Sequence, residues 1–122
     1  MAGNPAFGSY IRKLREKRKL TDPSFSLRRF AETIGISPTF LSKIETGELD
    51  PPAPARIKKM AELLEVNADD LLILADKFDP ELKEIIKDQP KAMADFLRTA
   101  RDVNLSEEGL RKITEQIRKL KH

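Results

Sequence analysis

The sequence predicts an all-α fold, and three observations lead there. Apolar residues recur at three- and four-residue steps along most of the chain. Gly, Pro, Ser and Asn stand where such helical segments start and stop. A composition of 39% hydrophobic and 35% charged residues, with no Trp, describes a small, charge-covered helical protein rather than a disordered chain. With 122 residues it holds one small domain plus an appendage, and the pattern changes near residue 78.

A first helix is expected over 6–20, where Phe7, Tyr10, Ile11 and Leu14 share one face and the basic residues fall on the others. The stretch TDPSFS breaks it, because Pro23 disfavours helix at Asp22, and Ser26 is a good N-cap for a second helix over 27–33. Gly35 ends that helix, since glycine takes the left-handed conformation at a helix C-terminus without a steric cost. Ser37 as N-cap with Pro38 at the first helical position starts a third, which runs to about Thr46 and stops at Gly47. ELDPPAP is loop. A fourth helix over 55–65 presents Ile57, Met60, Ala61 and Leu64, and Asn67 caps a fifth whose Asp69 and Asp70 complement the helix dipole. These five helices form a domain over 1–78.

Residues 79–122 form a C-terminal helical region of two to three helices. Asp79-Pro80 opens one carrying Leu82, Ile85 and Ile86; Pro90 ends it; the next carries Met93, Phe96, Leu97 and Ala100. Ser106 caps the last, in which Leu110, Ile113, Ile117 and Leu120 follow one another at steps of three, four and three. That stripe either lies on the rest of this region or meets its own copy, which makes it the candidate dimerisation surface.

Between Arg12 and Arg29 eight basic residues stand against Glu16 and Asp22, a local +6 on a chain whose net charge is +3. A basic front of this kind suits a polyanion met on one face. Cysteine is absent and His122 is the sole histidine, so thiolate chemistry, disulfides and Cys/His zinc sites are excluded. With no Gly-rich phosphate loop and no paired catalytic groups, an enzyme is not expected, and no cofactor or metal is called for. No apolar run reaches the ~18 residues of a membrane span, and no secretory signal plan opens the chain, so no membrane association is expected and the cytoplasm is the expected compartment.

Residues 27–46 have the arrangement of a helix-turn-helix. Phe30, Ile34, Ile36, Leu41 and Ile44 are of buried type, small Ala31 faces the helix crossing, and Gly35 supplies the turn. Through IRKLREKRKL, FAETIGISPTFLSKIETGELDPP and IKKMAELLEVNADDLL, the chain resembles the lambda-repressor-like, XRE-type family of DNA-binding regulators over roughly residues 6–76. The resemblance implies a five-helix domain whose third helix enters the major groove of double-stranded DNA.

It also implies roles for individual residues. Thr39, Phe40 and Lys43, with Pro38 beside them, lie on the base-reading face: Lys43 is suited to guanine, Phe40 and the Thr39 methyl to a thymine methyl. Ser37, Ser42 and Thr46 suit phosphate oxygens. Ser37 is also an N-cap, and Phe40 has a core role as its alternative. Many members carry Gln at the start of the second helix, where this chain has Leu27; Arg28 and Arg29 beside it are placed to take over the phosphate contact. Glu45 is implied to pair with Arg15 and so lock the third helix to the scaffold.

The function expected is a sequence-specific transcriptional regulator, a repressor that binds an approximately palindromic operator as a homodimer, with half-sites about 34 Å apart. A regulatory protein partner is a further expectation. The rival reading is a protein-interaction module, or an antitoxin-type regulator, built on the same fold.

Overall fold

Polar caps and prolines open the helices. Asn4 accepts a hydrogen bond from the Phe7 amide and Pro5 takes the first helical position, opening α1 (Pro5–Lys19). Ser26 caps α2 (Leu27–Ile34) and Ser37 caps α3 (Pro38–Glu45). Then come α4 (Pro54–Leu64) and α5 (Ala68–Leu74), the latter capped by Asn67. The computed structural model describes residues 3–120, all of whose regular structure is helical, so the all-α expectation holds. By its internal contacts the chain divides into two compact units, between Pro80 and Glu81.

In the first unit the apolar faces of α1 to α5 converge on one core. Phe7, Ile11, Phe30, Leu41, Ile44, Ile57, Met60, Leu71 and Leu72 are fully buried. Each such side chain contributes roughly 1.5–3 kcal/mol relative to an exposed position. The stretch TDPSFS does more than break α1. It winds into a short 3-10 turn at Pro23–Phe25, capped by Asp22, and drops Phe25 into the core with its ring 5.8 Å from that of Phe30.

Two long-range contacts tie the ends of this unit together. The Asn4 side chain donates to the Leu74 carbonyl at 2.9 Å, so the cap of α1 also satisfies the C-terminus of α5. Arg18 pairs with Glu65 at 2.9 Å and donates to the Leu64 carbonyl, which serves the end of α4 where Glu65 takes a left-handed conformation at φ 56°.

The second unit contains α7 (Pro90–Asp102) and α8 (Glu107–Lys119), with α6 (Pro80–Asp88) starting at the boundary. None of the three buries a residue. Along α8, Glu107 pairs with Arg111, Glu108 with Lys112 and Glu115 with Arg118, so much of its charge is matched within the helix. Ile113 is half-buried, whereas Leu110, Ile117 and Leu120 are exposed.

Candidate nucleic-acid interface

α2, the turn and α3 are built residue by residue for a close crossing. Gly35 sits at φ +83°, in the left-handed region, and the Ile36 amide reaches back to the Ala31 carbonyl at 3.0 Å. Arg56, from the first turn of α4, donates to the Ile34 carbonyl at 2.6 Å, so a side chain remote in sequence closes the end of α2. A methyl group at position 35 would stand 2.3 Å from Arg56 Nη1. Gly35→Ala is therefore expected to cost about 2 kcal/mol, from left-handed strain and the displaced Arg56, read as a lowered midpoint in thermal unfolding.

α3 turns one side inward and the other out. Leu41, Ile44 and Glu45 are buried, while Thr39, Lys43 and Thr46 are exposed. Ser37 is exposed as well; its hydroxyl oxygen accepts from the Phe40 amide at 3.0 Å, which leaves its proton available to donate outward. Pro38, Phe40 and Ser42 are half-buried, and Phe40 packs against the core with part of its surface left accessible. The Ser42 hydroxyl has no partner among the described residues. Thr46 differs: its hydroxyl proton is shared between the Lys43 carbonyl at 3.2 Å and Glu48 at 2.9 Å, so it meets a new acceptor only by giving these up.

Arg15 and Glu45 join α1 to α3. Arg15 Nε donates to Glu45 Oε2 at 2.7 Å and Nη2 donates to Oε1 at 2.9 Å, a two-pronged pairing. Nη1 donates to the Phe25 carbonyl at 3.0 Å, and Glu16 adds a second carboxylate at 3.1 Å. Both side chains of the pair are 3% exposed. The hydrogen bond to Glu45 raises the Arg15 guanidinium above its ordinary pKa, against the opposing effect of burial, so the guanidinium stays charged. Burial and full satisfaction together hold α3 in one orientation.

The cations around α3 stand in contrast to those of α8. Arg12, Lys13 and Lys17 on α1, Arg28 and Arg29 at the start of α2, and Lys43 on α3 are exposed, and none forms an ion pair among the described residues. Lys43 lies on α3 itself and Arg12 lines a cleft with Ser42 and Thr46, and cations left unmatched there describe a surface suited to a polyanion. Arg12, Lys13 and Lys17 carry no individual role in the sequence reading, which counts them only within the basic run, and of the three Arg12 gains one from the structure. The structure brings it to a cleft of about 210 Å³ shared with Leu27, Ser42 and Thr46. Among the described residues no helix is long and apolar enough to cross a membrane, and no group of three or more His, Cys, Asp or Glu side chains is arranged to hold a metal.

Known proteins place the same stretch in context. A helix-turn-helix family model matches residues 11–71. The HTH-type transcriptional repressor RghR of Bacillus subtilis (strain 168) is 40% identical over 70 residues, 57% of this chain and 48% of that protein. The uncharacterized HTH-type transcriptional regulator RghRB of the same organism is 40% identical over 81 residues, 64% of this chain and 55% of that protein. The chain thus spans about half the length of the curated relatives it matches. Among solved structures, the clp gene regulator ClgR from Corynebacterium glutamicum aligns with a TM-score of 0.47 at 21% identity, covering 84% of this chain and 95% of that one. A SinR protein/SinI protein complex aligns with a TM-score of 0.45 at 21% identity, covering 94% and 97%.

Proposed function

We infer the function from the premise that this chain belongs to the helix-turn-helix family, which residues 11–71 match: it is a sequence-specific DNA-binding transcriptional regulator, and its action is that of a repressor. The observation that carries this reading is the outward face of α3, where Thr39, Ser42 and Lys43 stand beside unmatched cations while Arg15 and Glu45 fix the helix from behind. The 40% identity to a protein named a transcriptional repressor supports the sign of the regulation. The compartment proposed is the one that holds the DNA, and the reading assigns no catalytic step.

In this reading Thr39, Lys43 and one face of Phe40 meet base edges, with Pro38 beside them. Ser37, Ser42, Arg28 and Arg29 meet phosphates and set register, and Thr46 joins them by releasing Glu48. Lys43→Ala is expected to relax base preference at one position, at a cost of about 1–3 kcal/mol on the preferred duplex and little on others. Arg28→Ala is expected to weaken binding to all duplexes alike and to lower the salt slope by about 0.9. Affinities measured across a panel of duplexes separate the two; equal losses everywhere for Lys43→Ala count against base reading.

The proposed assembly is a homodimer joined through residues 79–122. One short helix reads only a few base pairs, and a second copy doubles the site. The support is that α6, α7 and α8 contain no fully buried residue and that Leu110 and Ile117 of the stripe are exposed. A regulatory protein competing for the same stripe is the second reading, carried by the same exposed residues. Deleting 106–122 is expected to weaken dimerisation and operator binding together in sedimentation and binding assays. A full-length protein that is monomeric at operator-binding concentrations overturns this assembly.

A further inference from the structure

The cleft between α1 and α3 is the place where an unmatched cation meets an unmatched hydroxyl. Arg12, Leu27, Ser42 and Thr46 line it, together with Arg15 and its two carboxylate partners. The acids at first argue against an anion there. Glu45, however, spends both oxygens on Arg15, and Glu16 is held between Arg15 at 3.1 Å and Lys19 at 3.8 Å. Two acids against Arg15 and Lys19 leave no net charge, so Arg12 is the uncompensated one. Ser42, whose hydroxyl has no partner among the described residues, is the neutral donor at the same place. Leu27 adds no polar group from its side chain, and Thr46 has its proton engaged by Lys43 and Glu48.

We propose that this cleft seats one phosphodiester of the DNA backbone, with Arg12 as its cationic ligand and Ser42 as its hydroxyl donor. The inference rests on the DNA-binding reading above and adds a contact from α1, a helix outside the helix-turn-helix itself. A guanidinium is suited to the task because its planar fork meets two phosphate oxygens at once, whereas an ammonium acts as a point charge. The contact sets register without reading sequence, because every phosphate on the duplex is alike.

The test uses the full chain and one duplex, with affinity followed from about 50 to 200 mM salt for wild type, Arg12→Ala, Arg12→Lys and Lys13→Ala. Arg12 and Lys13 are both exposed on α1, so melting curves are expected to overlay and folding does not confound the comparison. Arg12→Ala is expected to lower the salt slope by about 0.9, with the order of preference among duplexes unchanged. Arg12→Lys is expected to keep the slope and bind more weakly. Lys13→Ala, one step round the helix and outside the cleft, is expected to change the slope by less than half as much. An unchanged slope for Arg12→Ala, or an equal loss for Lys13→Ala, overturns the site in favour of a diffuse basic field. A wild type with no salt-dependent duplex binding brings down the DNA-binding reading itself, which the variants then play no part in deciding.

Discussion

Glu45→Ala is expected to lower the unfolding free energy by about 3–5 kcal/mol. The removed carboxylate is the bidentate acceptor of a guanidinium whose side chain is 3% exposed, so Arg15 would be left charged and buried with only the Phe25 carbonyl and Glu16 as partners. The loss would come from that stranded charge rather than from the net worth of the pair. Arg15→Met combined with Glu45→Leu is accordingly expected to recover most of the stability, because replacing both partners with apolar groups leaves no unpaired charge. Urea titrations of the two single variants and the double variant check this. A double variant no more stable than Glu45→Ala contradicts the explanation. The double variant is also expected to bind DNA less selectively than wild type, since α3 loses the contact that fixes its orientation.

Gly8→Ala is expected to destabilise the protein by about 2 kcal/mol, although alanine is the better helix former by ~1 kcal/mol. Gly8 is buried in α1 where that helix crosses the end of α3. A methyl group there would lie 2.2 Å from the Ile44 carbonyl oxygen and 2.7 Å from that of Glu45. Both obstacles are backbone atoms, so no side chain can swing away and the two helices must separate. Separation stretches the Arg15 pairing with Glu45 and tilts the outward face carrying Thr39 and Lys43. Thermal unfolding and duplex binding are therefore expected to suffer together. A Gly8→Ala protein that melts at or above the wild-type temperature contradicts the tight crossing.

Much of the helical framework could be read from the chain because its signals are local. Gly35, Ser37 and Pro38 punctuate α2 and α3 within a few residues, and the apolar steps of α1 and α4 place helices to within about a residue of where they lie. What escaped is what depends on distance or on a single residue. Phe25 stands alone between a proline and two serines, with no apolar partner at helical spacing, so its burial follows only from the 3-10 turn that carries it under α1. Arg56 closes the end of α2 from 22 residues away, and Asn4 bridges to Leu74 across 70. No pattern in either segment points to such a partner.

The candidate interface divides along the same line. The exposure of Thr39 and Lys43 follows from helical geometry once Leu41 and Ile44 face inward. The commitment of the Thr46 hydroxyl to Glu48, two residues on, depends on how the chain turns after α3. The arrival of Arg12 beside Ser42 depends on how α1 packs across α3. In the second unit the spacing of Leu110, Ile113, Ile117 and Leu120 marks an apolar stripe, but spacing carries no information about what covers it.

Whether α3 reads sequence in duplex DNA for a dimer is decided by selecting bound duplexes from a random pool at physiological salt. The expected result is recovery of a two-fold related motif whose halves lie about one helical turn apart. Recovery of no motif, with only salt-sensitive background binding, would contradict it.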